Sequence, residues 1–197
     1  MKSSNIPERI NQACRRLAAR RGFYRLTVDE LAREAGISKR TLYRYYRSKE
    51  EIIEGTLDSF TTEILSDTEK LLQNEKDPAL LLKMALELLA EKGRFIINPA
   101  SMYDLERYYP HLWQKIDQFR VQRIKQVIGM LSSQDPYLGF SSSTDLSILT
   151  AIITSSIQAV LNPTFILENQ LTFEEAAGQL SQLLIKMLRA FDPQSSC

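Results

Sequence analysis

The sequence has 197 residues, of which 44% are hydrophobic and 25% are charged, with only seven glycines and seven prolines. These values are ordinary for a globular protein and disfavour a turn-rich β fold. Two cysteines, Cys14 and Cys197, are too few for a disulfide framework, so a reducing, cytoplasmic environment is expected. The most apolar run, residues 148–161, is shorter than the ~20 residues of a membrane span, so no membrane partner is expected.

The formal charge divides unevenly along the chain. Residues 1–50 contain 13 Lys and Arg against 5 Asp and Glu, a net +8. Residues 51–197 contain 12 against 19, a net −7. This asymmetry indicates either a polyanionic partner for the N-terminal part or a basic face that is simply solvated.

Hydrophobic residues recur every three or four positions almost throughout, which predicts an all-α fold. In the N-terminal part, the Thr27/Glu30 and Ser48/Glu51 pairs have the spacing of capping boxes, and Gly22 and Gly36 are typical of helix ends. The predicted helices there cover residues 7–21, 28–35, 39–45 and 49 to about 73.

The break at residues 74–78 separates a second set of helices. The first is apolar on most sides and is therefore predicted to be buried at the centre of its domain. Thr172 and Glu175 have the spacing of a third capping box. The predicted helices cover residues 79–97, 101–109, 110–131, 144–161 and 173–191, with a loop over 134–143. The sequence therefore predicts two domains, residues 1–50 and 51–197, which are connected by the helix that ends near residue 73.

The two short helices on either side of Ala35, Gly36 and Ile37 form a helix-turn-helix pattern, in which Gly36 supplies left-handed backbone. The segment TVDELAREAGISKRTLYRYYRSKE, residues 27–50, closely resembles the TetR family of bacterial regulators. The match extends back to residue 7 and on to residue 54.

The resemblance implies an N-terminal three-helix DNA-binding domain and a C-terminal helical domain for ligand binding and dimerisation. It also implies a homodimer on a palindromic operator in double-stranded DNA. The third helix would enter the major groove, while the first and fourth helices would hold the DNA backbone.

Side chains at the start of the third helix suit DNA recognition. Arg40 or Lys39 could pair with guanine O6 and N7, and the Thr41 methyl group could touch a thymine methyl group. The free N–H groups at the helix start suit phosphate contacts. The family often has a small residue at position 40, so Arg40 either reads a base or binds phosphate.

The remaining DNA contacts are mostly implied by the resemblance. It gives phosphate contacts to the hydroxyls of Tyr43 and Tyr45, although the family commonly has His at position 45. Lys49 matches a phosphate contact of the family. A bound phosphate would offset the unfavourable interaction of the lysine cation with the N-terminus of its helix. Thr27 either contacts phosphate or only caps its helix, and Tyr46 is expected in the core. The candidate DNA-binding residues are Thr27, Ser38, Lys39, Arg40, Thr41, Tyr43, Arg44, Tyr45 and Lys49.

The resemblance implies that the last two long helices of each protomer form a four-helix bundle with those of a second protomer. An apolar seam at spacings of three and four fits this role, and Leu183 and Leu188 widen it to a second side. The alternative is a single wide core face. The candidate dimer residues are Ala177, Leu180, Leu184, Met187 and Phe191.

An aromatic-rich stretch, residues 102–119, could line a cavity against the helix over 79–97. Such a lining would suit a small, mostly apolar effector. The alternative is ordinary packing with surface tyrosines. The candidate ligand-binding residues are Met84, Leu88, Met102, Tyr103, Trp113 and Phe119.

The sequence lacks a Ser/His/Asp set, a Gly-rich phosphate loop and a cluster of metal ligands, so no catalytic residue, metal or cofactor is expected. The single histidine, His111, is expected to be exposed and structural. The sequence therefore predicts a DNA-binding transcriptional regulator, namely a repressor released by a small effector. The alternatives are a structural or division-control DNA-binding protein without an effector, and a helical enzyme or protein-binding module with an incidental basic head.

Overall fold

A computed structural model of the protein describes residues 5–75, 77–134 and 146–190. Every regular element in these ranges is an α-helix, which confirms the predicted all-α fold. The helices are α1 (Ile6–Arg21), α2 (Val28–Glu34), α3 (Lys39–Leu42), α4 (Lys49–Asn74), α5 (Pro78–Lys92), α6 (Arg94–Ile97), α7 (Pro99–Tyr108), α8 (Pro110–Gln134), α9 (Leu146–Val160), α10 (Pro163–Glu168) and α11 (Phe173–Ala190).

Capping residues fix several helix starts. The Thr27 hydroxyl accepts the Glu30 N–H at 3.3 Å, and the Glu30 carboxylate accepts the Thr27 N–H at 3.1 Å. Thr172 and Glu175 exchange the same two bonds at the start of α11. At α4 the Ser48 hydroxyl accepts the Glu51 N–H, but the Glu51 carboxylate accepts the N–H of Arg47, so the Ser48/Glu51 box is only half formed.

The helix predicted over residues 79–97 is in fact two helices, α5 and α6, divided at Gly93. Glycine is a poor helix former, and the Gly93 carbonyl here accepts the N–H groups of both Ile96 and Ile97, at 2.7 and 2.9 Å. The two helices also serve different cores, because Phe95 of α6 packs edge-on against Phe23 and Phe60.

Two further differences from the sequence prediction concern the end of α3 and an additional helix, α10. The α-helical part of α3 ends at Leu42, and residues 43–45 continue as turns. Between α9 and α11 the short helix α10 was not predicted. Its cap is Asn162, whose side chain accepts the Phe165 N–H at 2.8 Å, and Pro163 occupies the first turn, where no donor is needed. The predicted loop over 134–143 lies, except for Gln134, outside the described residues.

The chain folds as two compact units. The first contains residues up to 64 together with residues 92–116, and the second contains the described residues of 65–91 and 117–190. The unit that carries the helix-turn-helix therefore includes more residues than the predicted domain of residues 1–50. A boundary between functional domains at residue 50 stays a prediction. Within the described ranges, no helix combines the length and the hydropathy needed to cross a membrane.

Candidate nucleic-acid interface

The turn between α2 and α3 is held by Arg9, a residue that the sequence patterns did not single out. Gly36 has φ +64, a left-handed conformation that favours glycine. The Arg9 guanidinium donates to the carbonyl oxygens of Ala35 at 2.7 Å and of Gly36 at 2.9 Å. A Cβ atom at residue 36 would lie 3.0 Å from Arg9 Nη2. Arg9 thus anchors the helix-turn-helix corner to α1.

Much of the basic charge predicted for DNA is already paired within the unit. Arg15, Arg16 and Arg21 of α1 form salt bridges of 2.7, 2.6 and 2.6 Å with Glu63, Glu34 and Glu30. These pairs stabilise α1 against its neighbours, and they leave the arginines less available for phosphate.

The arginines that surround α2 and α3 are different. Each is exposed, and no described residue forms a hydrogen bond or ion pair with its guanidinium group. Their charge is therefore free for an external anion. They are Arg25, Arg33, Arg40, Arg44 and Arg47. Of these, only Arg40 and Arg44 were singled out from the sequence.

The two cations predicted to read bases have different surroundings. Lys39 Nζ lies 2.9 Å from an Asp29 carboxylate oxygen, and this hydrogen bond raises the pKa of Lys39. Arg40 has no such partner in the described part of the chain. Between the two, Arg40 is the more available side chain on α3 for a bidentate contact with guanine.

The hydroxyl groups on α3 and beside it have three kinds of surroundings. Ser38 accepts the Thr41 N–H at 3.0 Å, and the two hydroxyls lie 2.8 Å apart, so both help to cap α3. Tyr43 and Tyr45 are exposed by 47% and 43%, which leaves their rings accessible. Tyr46 instead lies against α4, as expected for a core position, and donates to the Asn11 side chain at 3.0 Å.

The hydrogen bonds of the Thr27 side chain are those of a residue that caps α2. Its hydroxyl donates to the Glu30 carboxylate at 2.7 Å, and Arg21 holds the same carboxylate. The bond from Arg21, with those from Thr27, lowers the pKa of Glu30 to about 2. Thr27 therefore has internal partners, and a phosphate contact by Thr27 stays a prediction.

Lys49 also has internal partners. Its ammonium group donates to the Tyr24 carbonyl oxygen at 2.8 Å and lies 5.5 and 5.9 Å from the ring centres of Tyr24 and Tyr109. Burial lowers the pKa of Lys49. These contacts supply what the sequence argument expected from a phosphate, namely stabilisation of a cation at the start of α4.

The six candidate ligand-binding residues do not belong to one compact unit. Met102, Tyr103 and Trp113 lie in the first unit, and Met84, Leu88 and Phe119 lie in the second. Met102 is buried and Tyr103 is 50% exposed. The prediction that α5 is buried on most sides holds only in part for its described residues, because Leu81 and Leu86 are buried whereas Leu80 is 40% exposed.

A solvent-open cavity of about 670 Å³ lies within the second unit, between α8 and α9. None of the six candidates lines it. Its buried Thr154 is 7% exposed, and the Thr154 hydroxyl has no hydrogen-bond partner in the described structure. The lining residues are Val121, Lys125, Ser147, Thr150, Ala151, Thr154, Ser155 and Gln158.

Most of the predicted dimer seam packs inside its own unit. Ala177, Leu180 and Leu184 are 5%, 7% and 3% exposed, and α11 packs against α9. Met187 is half-buried, and Phe191 lies outside the described residues. The three buried side chains fill a core of the protomer and are not accessible to a partner. Outward-facing aliphatic side chains occur instead at Ile148 and Ile152 of α9 and at Leu183 of α11.

Two residues outside the interface are Cys14 and His111, and His111 is exposed as predicted. Cys14 is buried in the first unit, and burial raises the pKa of its thiol to about 12. His111 is exposed, with Nε2 3.0 Å from a Glu50 carboxylate oxygen.

Residues 10–56 match the family of bacterial regulatory proteins called the tetR family. The chain is 26% identical over 186 residues to YvaF of Bacillus subtilis, an uncharacterized HTH-type transcriptional regulator. That match covers 94% of this chain and 96% of YvaF. It is 28% identical over 169 residues to the nucleoid occlusion factor SlmA of Photobacterium profundum, covering 82% of this chain and 84% of SlmA.

Solved structures of similar fold cover nearly the whole chain. A transcriptional regulator from Cytophaga hutchinsonii has a TM-score of 0.70 at 18% identity and covers 94% of this chain and 95% of its own. The regulator FadR from Bacillus subtilis, solved in complex with stearoyl-CoA, has a TM-score of 0.66 at 19% identity. That match covers 91% of this chain and 96% of FadR. At these identities the likeness supports the fold alone.

Proposed function

This chain belongs to the TetR family of bacterial regulatory proteins, and from that premise we propose that it is a repressor released from its operator by a small effector. The observation that carries the DNA-binding part is the set of exposed, unpaired arginines around α2 and α3. Arg40 lies on the recognition helix itself, where direct base contacts are made in helix-turn-helix proteins. A bacterial DNA partner would place the protein's action in the cytoplasm.

The proposed protein acts as a homodimer, because one recognition helix covers only half of a palindromic operator. We place the interface on the outward faces of α9 and α11, where Ile148, Ile152 and Leu183 are 56%, 45% and 64% exposed. Burial of such aliphatic side chains against a second copy would favour association. This position replaces the buried seam of Ala177, Leu180 and Leu184.

The proposed effector binds in the cavity between α8 and α9. Its lining offers methyl groups from Val121, Ala151 and the threonines, which favours a mostly apolar molecule. An effector with one polar group would also give the buried Thr154 hydroxyl a partner, because a buried hydroxyl without one costs about 1–3 kcal/mol. Lys125 at the same cavity makes no ion pair with any described residue and would suit an acidic group.

The proposal is tested by selecting duplexes from a random DNA library with the wild-type protein. We expect an enriched, near-palindromic sequence, whose affinity falls linearly with the logarithm of the salt concentration. Saturated fatty acids of graded chain length, and stearoyl-CoA, are then titrated into the complex. Release by one class of compound, lost in Thr154→Val or Lys125→Ala but kept in the surface variant Gln182→Ala, supports the effector site.

A second function is favoured by the similarity to nucleoid occlusion factors over 82% of the chain. In that case the protein binds specific DNA sites as a division-control protein and has no small effector. The same titration separates the two functions, because the second predicts an enriched DNA sequence but no compound that releases it. Failure to enrich any sequence would contradict both.

A further inference from the structure

Tyr24, which lies in the turn between α1 and α2, is held from three directions within the first unit. Its backbone N–H donates to the Asp104 carboxylate at 2.8 Å, and its carbonyl oxygen accepts from Lys49 Nζ at 2.8 Å. Its ring stacks on Tyr108 with 4.0 Å between the ring centres. Both polar partners are ionised side chains, and such hydrogen bonds are stronger than neutral ones.

The carboxylate on α7 fits closely against this turn. Asp104 is only 8% exposed, and its Oδ2 atom would lie 2.3 Å from a Cβ atom at residue 22, where the backbone has φ +80. Only glycine at position 22 permits that approach. One turn earlier on α7, the Ser101 hydroxyl donates to the Ala18 carbonyl oxygen at 3.2 Å, at the end of α1. The start of α7 is thus fastened to the end of α1 and to the turn that follows it.

The turn at Tyr24 sets where α2 begins. Three residues separate Tyr24 from Val28, the first residue of α2, and α3 follows α2 through the corner anchored by Arg9. Lys49 is the first residue of α4. A displaced Tyr24 would therefore move the recognition helix relative to α4, although neither Tyr24 nor Asp104 needs to touch DNA.

We infer that Asp104 and Lys49 are positioning residues, which hold the α1–α2 turn through the backbone N–H and carbonyl oxygen of Tyr24 and so set the position of the DNA-reading helices. The inference rests on the proposed DNA binding, and it gives Lys49 a different role from a phosphate contact. Asp104 bears a negative charge and is buried, so its contribution to DNA affinity must be indirect.

The test compares Asp104→Ala with Glu106→Ala on a duplex selected by the wild-type protein. Glu106 is exposed on the same helix, and no described residue bonds to its side chain. Both variants remove one negative charge, which by Coulomb's law alone would strengthen DNA binding slightly. We expect Asp104→Ala to weaken binding by about tenfold, because the Tyr24 N–H loses its acceptor in a part-buried hydrogen bond and the turn is released. Glu106→Ala should bind like the wild type or more tightly.

The role of Lys49 is separated from phosphate binding by the salt dependence. Loss of one phosphate contact lowers the slope of log affinity against log salt by ~0.9. We expect Lys49→Met to weaken binding with an unchanged slope. The Lys49→Met, Asp104→Ala double variant should bind no more weakly than the worse single variant, because both disturb one turn.

Asp104→Asn keeps an acceptor for the Tyr24 N–H and should restore most of the affinity, which also controls for misfolding of Asp104→Ala. Amide hydrogen exchange at Tyr24 should be faster in Asp104→Ala than in Glu106→Ala. Equal binding by the two alanine variants, or a slope lowered by ~0.9 in Lys49→Met, would overturn the inference. If the wild-type protein itself selects no duplex, the proposed function fails first.

Discussion

At the scale of single residues, the helix-turn-helix carries exposed arginines of which only one lies on α3. We expect Arg40→Ala to lose roughly 1–3 kcal/mol of affinity for the selected duplex, and much less for a scrambled duplex. The matched control is Arg33→Ala, which removes another exposed, unpaired cation, from α2. That variant should weaken both duplexes alike. Equal losses on both duplexes for Arg40→Ala would mean that Arg40 binds phosphate.

The buried cysteine gives a chemical probe of the first unit. The thiolate is the reactive form of cysteine, and burial raises the pKa of Cys14 to about 12. In a Cys197→Ser variant near pH 8, we expect a disulfide reagent to label the remaining thiol only after unfolding, and the labelled fraction in urea to follow the loss of helical circular dichroism. Rapid labelling of the folded protein would contradict the burial of Cys14.

Single residues also mark the limit of what the sequence could predict about the site. The clustering of positive charge before residue 50 is visible from composition, but its availability is not. Arg15 pairs with Glu63, 48 positions away, and Arg9 bonds to a turn 26 positions away. Such partners are set by tertiary packing, so the sequence could not distinguish the paired arginines from Arg25 and Arg47, which are free.

At the scale of helices, the start of α2 is stabilised by an ionised glutamate. The pKa of Glu30 is lowered to about 2 in the folded protein, from an ordinary value of 4.5. A lowered folded-state pKa contributes stability that is complete above the ordinary value and is lost as the pH falls towards the folded value. We expect Glu30→Gln to lower the urea midpoint near pH 6, and the difference from wild type to shrink between about pH 5 and pH 2. A constant difference would contradict this role.

Helices were predictable where local signals suffice. The Thr27 and Thr172 capping boxes place the starts of α2 and α11 correctly, because a cap depends only on residues within one turn. The joined prediction for α5 and α6 is wrong because apolar periodicity continues through Gly93 although the two helices pack in different units. For α10, Asn162 and Pro163 were interpreted only as a stop, yet they also form a helix start.

At the scale of the whole molecule, dimerisation is the first requirement of the account. Leu183→Glu would bury a carboxylate without a partner in the proposed α9–α11 interface, at a cost of several kcal/mol. We expect sedimentation to show monomers for this variant, with loss of tight operator binding. Gln182→Glu, a substitution at an exposed position one residue away on another side of α11, should remain dimeric. Dimers in both variants would place the interface elsewhere.

The position of the interface also shows why a periodic seam was ambiguous. Ala177, Leu180 and Leu184 recur at helical spacing whether the surface they form is a core or an interface. The spacing indicates only that one face of α11 is apolar. The packing of α9 against that face shows that it forms a core of the protomer. The outward residues Ile148 and Ile152 lie on a helix that is apolar on several sides, where periodicity has little contrast.

The central claim is that two copies of this chain present their recognition helices to one palindromic DNA site. Hydroxyl-radical footprinting of the wild-type protein on the selected duplex tests it most directly. We expect two protected patches related by two-fold symmetry, with centres one helical turn of about 34–36 Å apart or a multiple of it. A single protected patch, or uniform protection along the duplex without preference for any sequence, would contradict the account.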